Sequence, residues 1–529
     1  SNCRELEDIS PLAGLPKLFS ADFYRTKVNS IAPLRECPVE WLDVRYTLLS
    51  GPEGDYAELA RLKSLFCLKT QWGEDHPWPM HEILPELPVL GRLWITLEIH
   101  LARYSTIAKL PSLGQCPRLT SLTLEDTRHL DLSPLKELAE LIDLDLIGST
   151  DPSTSLRPIA KLKGLRSLRI EIEGASSDEI TDLTPLAEAK GLERLVIETE
   201  ASTIGHDRLG ELPNLTHLSL GSSSLERVPT FKSPRRIRHL GFVTGAWVYN
   251  NLKDISSLSE TRNLETLILR DCDDVEDWAS LGRLKELRHL DLGGTSIESL
   301  DVLAGLENLE ILSLALCKLD DLSPLAGLKA LRKLDIQHVH KKQGDTYAPI
   351  ALDAIARLPN LVSLDLPREQ TAGIKKLALP SLRRLSLPVD ATADEFRHVI
   401  RAHPGLTSLR LIRFDVDDSV IDAADELAKL KNLHSLEISE IKDASVIAGL
   451  EKLTHLEVLT VKGPADTTAL RRLVHLRYLR WPFEEPPEAL PTLPNLFKVK
   501  YFGFTRESPS TPTDWESLPA SMRERGIAN

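Results

Sequence analysis

Between residues 264 and 336 the chain writes one pattern four times: Leu264-Glu-Thr-Leu267-Ile-Leu269, Leu287-Arg-His-Leu290-Asp-Leu292, Leu309-Glu-Ile-Leu312-Ser-Leu314 and Leu331-Arg-Lys-Leu334-Asp-Ile336. The first leucines are 23, 22 and 22 residues apart. A period of roughly 20 to 29 residues carrying L-x-x-L-x-L marks stacked units, each a short strand plus a return segment, and one such unit cannot bury its own apolar face. The 529 residues are therefore not read as three or four separate domains. The expectation is one array in which neighbouring units share a continuous core.

The same motif places strands beginning near residues 15, 39, 62, 90, 119, 141, 165, 192, 215, 237, 264, 287, 309, 331, 361, 382, 406, 433, 456, 476 and 496, with the first three and the last least regular. The array is expected over residues 1–504. Residues 505–529 are expected to be a polar linker, Glu507-Ser-Pro-Ser-Thr-Pro-Thr-Asp, followed by a capping helix or tail from Trp515 to Ile527. The opening Leu6-Glu-Asp-Ile-Ser-Pro-Leu-Ala-Gly-Leu15 repeats Leu319-Asp-Asp-Leu-Ser-Pro-Leu-Ala-Gly-Leu328. A stack needs a polar cap at its end, so a start in mid-repeat carries the expectation of an upstream domain.

The return segments have their own chemistry. Asp131-Leu-Ser133-Pro134-Leu135, Asp182-Leu-Thr184-Pro185-Leu186 and Asp321-Leu-Ser323-Pro324-Leu325 each set a hydroxyl residue before proline. A Ser or Thr side chain accepts from free N–H groups of a first helical turn, and proline at its first position loses no needed donor. Short helices are expected there, ended by Gly305, Gly327 and Gly449 or by Pro213-Asn214, Pro359-Asn360 and Pro494-Asn495. Strands stacked at about 4.8 Å against helices roughly 10 Å wide would curve the sheet, with the strands inside.

These motifs resemble the leucine-rich repeat family, especially its bacterial branch with a 22-residue unit. The resemblance implies an α/β fold, a right-handed β/α solenoid with one curved parallel sheet on its concave face. The Asp-Leu-Ser-Pro-Leu-Ala-Gly-Leu unit also resembles the C-terminal repeat arrays of bacterial signal-transduction NTPases of the NACHT type, relatives of the NOD-like receptors, which implies the sensor half of a larger defence protein. The same Asp-Leu-Ser/Thr-Pro-Leu rhythm is similar to that of internalins, so a surface adhesion protein is the alternative. The repeat array of a catalytic effector is a third.

Net charge and missing motifs narrow the function. With 78 acidic and 64 basic residues the charge is −14, which opposes general attraction to nucleic acid or an anionic membrane. No apolar run reaches the length of a membrane span, and the first residues lack a signal core, so a cytoplasmic setting is expected. Cys3, Cys37, Cys67, Cys116, Cys272 and Cys317 are scattered, with neither disulfide nor zinc spacing. Cys272 and Cys317 stand three residues past the last strand leucine, where Thr127, Ser149, Ser223 and Thr295 stand in other units, and are expected to be buried. P-loop, H-E-x-x-H and G-x-S-x-G patterns do not occur, and His338 with His340 lack a third ligand. No enzyme activity and no cofactor are expected.

Function is then expected on the strand face turned away from the core. In L-x-x-L-x-L-x the residue before the second leucine, the one between the last two and the one after point outward. For partner binding this selects Asp143, Asp145, His217, His239, His289, Asp291, Lys333, Asp335, Asp365, Arg384, Arg410, Tyr478 and Arg480. The face reads acidic early, with Glu125, Glu171 and Glu198 countered by Arg169 and Arg194, and basic with aromatics late, where Glu437, Lys462, Lys500 and Phe502 also fall. Opposed charge at two ends would orient a protein or peptide partner. Trp72, Trp78, Trp247 and Tyr249 lie in stretches that break the rhythm and are candidate loop contacts.

Overall fold

The computed structural model describes residues 3–50, 55–73, 83–98, 108–109, 113, 116, 118–125, 130–148, 155–172, 179–199, 201–221, 224–242, 251–339, 350–367, 373–387, 392–411, 426–427, 429–441, 447, 450–461, 467–481, 493–496 and 498–501. The expected linker and tail at 505–529, and Trp78, Trp247, Tyr249, His340, Lys462 and Phe502, lie outside them. Two compact units are resolved, Ser1–Leu284 and Lys285–Asn529, and each is taken by itself.

In the first unit eleven strands pair in chain order, every pairing parallel: Ser20–Asp22, Trp41–Asp43, Cys67–Gly73, Arg92–Glu98, Ser121–Glu125, Asp143–Ile147, Ser167–Ile172, Arg194–Thr199, His217–Gly221, His239–Gly241 and Thr266–Ile268. In the second, ten do the same: His289–Asp291, Ile311–Ser313, Lys333–Asp335, Ser363–Asp365, Arg384–Ser386, Ser408–Leu411, Ser435–Ile441, His455–Val461, Tyr478–Trp481 and Lys498–Tyr501.

The register aligns the second leucine of each motif, from Leu290 through Leu312 and Leu334 to Leu364 and Leu385. Leu290, Leu312 and Leu334 are fully buried, as are the leucines two residues after each of the first two. Burying one such side chain is worth about 1.5–3 kcal/mol relative to exposure, so identical layers repeated along each unit hold it. Three expected frames move. Those placed at 15, 62 and 456 begin instead at Leu18, Leu65 and Leu453, because Ala21, Leu68 and Leu456 take the central register position. In each case leucines recur every three residues, as at Leu62, Leu65 and Leu68, and spacing alone offers two equivalent frames.

The return segments differ from expectation in two ways. Most are 3₁₀-helices of three to six residues, such as Ser133–Glu137 and Ser323–Gly327. A 3₁₀-helix rises about 2.0 Å per residue against about 1.5 Å for an α-helix, so few residues cross the depth of a unit. The cap, moreover, is the aspartate and not the hydroxyl. Asp131 Oδ1 accepts from Ser133 N–H at 2.9 Å and its Oδ2 from the Ser133 hydroxyl at 2.7 Å; Asp182, Asp254 and Asp321 accept the equivalent backbone bonds at 2.8–2.9 Å. Bonds from the Thr184, Ser256 and Ser323 hydroxyls, then their N–H groups, hold those three carboxyls below the usual carboxylate range.

Neighbouring units are also stitched by asparagines standing just before the strand motif. The side-chain amides of Asn214, Asn263, Asn308, Asn360 and Asn495 donate to Lys190, Arg235, Lys285, Lys329 and Val474 carbonyls at 2.7–3.0 Å. Past the strand, Cys317 Sγ donates to the Leu292 carbonyl at 3.0 Å and Cys272 Sγ to that of Phe242 at 3.4 Å. Both thiols are fully buried, and burial pushes their pKa up.

The longest helical return segment among the described residues is an α-helix, Ala393–Ala402, opened by a capping box in which Thr392 and Glu395 bond each other's backbone N–H. His403 ends it and is buried. Its Nδ1 faces the Val399 carbonyl at 2.8 Å, and its Nε2 accepts from Leu379 N–H at 3.1 Å, which assigns a neutral ring with the proton on Nδ1. Burial lowers its pKa below the usual imidazole value. The unfolded chain therefore binds the proton more readily, and the stability His403 contributes is whole above about pH 6.5 and is lost as pH falls through its lower folded value. His403→Phe is expected to cost about 2 kcal/mol by stranding Leu379 N–H and to flatten the loss of stability between neutral and mildly acidic pH. Urea midpoints at a series of pH values check this; an unchanged pH slope in the variant would refute it.

Candidate protein-binding face

Strand alternation turns the leucines to the core and leaves three rows of side chains on the opposite, open face. The densest group on it is in the first unit. Tyr24, Trp41, Asp43, Arg45, Lys69, Trp94 and Glu125 come from five strand segments and converge, although the sequence map did not select them as a site. The Arg45 guanidinium bonds Asp43 through Nε and Nη2 at 3.1 and 2.8 Å and Glu125 through Nη1 at 3.2 Å, and it lies 4.8 Å from the Trp94 ring centre and 5.1 Å from that of Tyr24. Glu125 also accepts from Trp94 Nε1 at 3.1 Å and the Thr96 hydroxyl at 2.7 Å. Burial works against its charge, but the Thr96, Trp94 and Arg45 donors outweigh that and hold its pKa low.

The Lys69 ammonium sits between two tryptophans, 4.3 Å from the Trp94 ring centre and 5.4 Å from Trp41. Among the described residues no carboxylate forms an ion pair with it. Trp41, Lys69 and Trp94 are half-buried, so rings and charge are held in place yet reachable. Aromatic faces attract a cation within about 6 Å, and tryptophan, tyrosine and arginine are the residue types enriched where partners bind.

Asp143, Asp145, His217, His239 and Trp72, selected from sequence, lie on strands of the same unit. Asp143 and Asp145 lie on the strand Asp143–Ile147; burial, with Asp143 adding to it against the opposing pull of Arg169, raises the Asp145 pKa. Arg169 is committed to Glu171, with Glu198 3.6 Å away. His217 and His239 are register partners whose rings stack, centres 4.0 Å apart and 12° from parallel, and burial lowers both pKa values. Trp72 belongs to the strand Cys67–Gly73.

In the second unit His289, Asp291, Lys333, Asp335, Asp365 and Arg384 stand at the open-face positions the alternation predicted. The expected basic end is different: Arg410 pairs with Glu437 at 3.0 Å and Arg480 with Glu457. Each of these two cations has its charge offset by a carboxylate one strand away. The Tyr478 ring stacks on His455, centres 4.3 Å apart and 5° from parallel. His455 and Glu457 escaped the sequence reading because the frame at 456 was three residues late.

Among the described residues, no group of three or more His, Cys, Asp or Glu side chains is placed to hold a metal ion, and no helix is long and apolar enough to cross a membrane.

Residues 285–327 match the family profile of Leucine Rich repeats (2 copies). Among solved structures the chain is similar to the mouse RP105/MD-1 complex, at 16% identity over 88% of this chain and 90% of that one, with a TM-score of 0.52. An internalin of Listeria monocytogenes, at 16% identity over 80% and 87%, and a leucine-rich-repeat protein of Leptospira interrogans, at 18% over 85% and 92%, align with TM-scores of 0.33 and 0.34. No curated protein sequence matches the chain. Parallel strands in chain order, leucine layers in register and a recognised repeat at residues 285–327 together make this chain a leucine-rich-repeat solenoid.

Proposed function

We propose that the chain is a non-catalytic recognition module that binds a protein or peptide through the open strand face, the face expected to be concave. The observation that carries this reading is the group around Trp41, Lys69 and Trp94, where large rings and an ammonium that among the described residues has no carboxylate ion-paired to it are held half-buried on the open strand face. A protein that needed these residues only for its core would turn them inward. Such stacked repeats commonly bind through an extended strand face, and the mouse relative was solved as a complex with MD-1. The finer reading is that the module is the ligand-sensing part of a larger bacterial signalling or defence NTPase and works in the cytoplasm. It rests on the Asp-Leu-Ser-Pro-Leu-Ala-Gly-Leu unit and on the resemblance stated above; sequencing the flanking coding region tests it, and a secretion signal in place of an NTPase motif would favour the adhesion reading.

For the binding face, the immobilised chain is compared with Trp41→Ala, Trp94→Ala and a control, Lys136→Ala with Lys161→Ala, on the return side. A central tryptophan is worth roughly 2 kcal/mol or more to an interface. Either tryptophan variant should therefore retain about thirtyfold less of a captured protein, and the control should retain as much as the parent. Equal retention by all four, with unchanged thermal midpoints, would remove this face as the binding surface.

A further inference from the structure

On the open face of the first unit the short side chain of Cys67 stands in register between two long ones, Trp41 on one neighbouring strand and Arg92 on the other. Two residues further along, Lys69 is the register partner of Trp94. Strands about 4.8 Å apart that rise about 3.3 Å per residue put Lys69 and Arg92 roughly 8 Å from each other at the backbone, so two long side chains can meet on one small group. Cys67 is partly exposed, which means the recess it floors is not filled by its neighbours. Burial raises the thiol pKa, while Lys69 and then Arg92 pull it down, so both charges act at this spot.

Neither charge is offset inside the chain. Asp43 and Glu125, the carboxylates of the group, both bond Arg45, and Glu125 accepts from Trp94 and Thr96 as well. Arg92 is exposed, lies 5.9 Å from the Phe66 ring centre and, among the described residues, forms no ion pair. Lys69 lies over the Trp94 and Trp41 rings, but an ammonium carries three donors, and among the described residues no oxygen accepts from them. Its nitrogen is not one of the unpartnered polar atoms sealed from water, as His206 Nδ1 and Ser313 Oγ are.

We infer that this recess receives an aspartate or glutamate side chain of the protein partner, its carboxylate shared between the Lys69 ammonium and the Arg92 guanidinium. The inference rests on the recognition reading above and adds the chemistry of what is recognised. An ionised carboxylate offers two oxygens with about four acceptor sites, so it can take bonds from both cations at once, and such charge-assisted bonds are roughly twice as strong as neutral ones. Trp41 and Trp94 stand at opposite corners of the recess and present ring surface to the residues beside the acid, which would exclude water from the pair. A strand of phosphates is a poorer occupant: it would run past Asp43 and Glu125 on a chain of net charge −14, whereas one carboxylate meets only the two cations.

The test uses the full chain and two labelled peptides, Gly-Glu-Phe-Glu-Gly and its amide analogue Gly-Gln-Phe-Gln-Gly, titrated by fluorescence anisotropy at physiological salt. The acidic peptide is expected to bind saturably and at least tenfold more tightly than the amide peptide. Arg92→Gln and Lys69→Gln should each weaken it at least tenfold, Arg92→Lys should keep most of the affinity, and Lys136→Ala with Lys161→Ala on the return side should change nothing. Arg92 is exposed, so its variants should unfold at the parent's thermal midpoint, and their result stands even if Lys69→Gln folds poorly. Equal affinity for the two peptides, no saturable binding, or full affinity in Arg92→Gln would each overturn the inference, as would an oligothymidylate that binds as tightly as the acidic peptide. If acid binding fails while retention of a captured protein still depends on Trp41 and Trp94, the carboxylate assignment is wrong and the recognition reading stands.

Discussion

Arg45→Ala is expected to destabilise the first unit by about 3–5 kcal/mol, because it breaks a buried ion pair from one side only. The Asp43 side chain is 4% exposed and that of Arg45 13%, so the carboxylate left behind cannot reach water, and Lys69, its register partner on the next strand, is held between Trp41 and Trp94. Glu125 is less affected, since it keeps its bonds from Trp94 and Thr96. Arg45→Lys should recover only part of the loss: the three bonds that Nε, Nη1 and Nη2 make to two carboxylates need the planar fork. Adding Asp43→Asn to Arg45→Ala removes the stranded charge and should restore more than half of the stability. Urea unfolding of the four proteins decides the matter. A loss below about 1 kcal/mol for Arg45→Ala would show a pair behaving as a solvated surface bridge.

Leu312→Ala carries the second large effect, about 2–5 kcal/mol from lost burial plus the cavity left behind. Leu312 is fully buried and lies in register between Leu290 and Leu334, which are equally buried. Stability in a stacked array is nearly a sum over units and their nearest neighbours, so the damage should stay local. Hydrogen exchange is expected to quicken in His289–Asp291, Ile311–Ser313 and Lys333–Asp335 while Tyr478–Trp481 keeps its protection. Even loosening across the second unit would contradict a layer-by-layer core.

Much of the open face was legible because alternation is a local property of a strand. Once Leu290, Leu312 and Leu334 are placed, the outward positions of Asp291 and Asp335 follow without any tertiary information. Trp41, Arg45 and Trp94 also stood in correctly placed frames, but nothing in their own units marks them as a group. Arg45 and Glu125 are 80 residues apart and meet because stacking brings successive units side by side. Lys69 was hidden further by the frame shift at Leu62, Leu65 and Leu68.

What the amino-acid order determined by itself was the fold: a leucine period long enough for a strand and a return, repeated until no other arrangement buries those side chains. It also determined which residues face away from the core wherever the leucine spacing offered a single frame, since that follows from a two-residue alternation. Only the tertiary structure decided which outward residues satisfy one another. Arg410 and Arg480 read as part of a basic end in sequence and each stand beside a carboxylate one strand over, Glu437 and Glu457, while Trp41 and Trp94 read as unrelated positions and come to lie on either side of the Lys69 ammonium. The physical reason is that charge pairing and burial depend on neighbours across the stack, at separations of twenty residues or more, where no local pattern reaches.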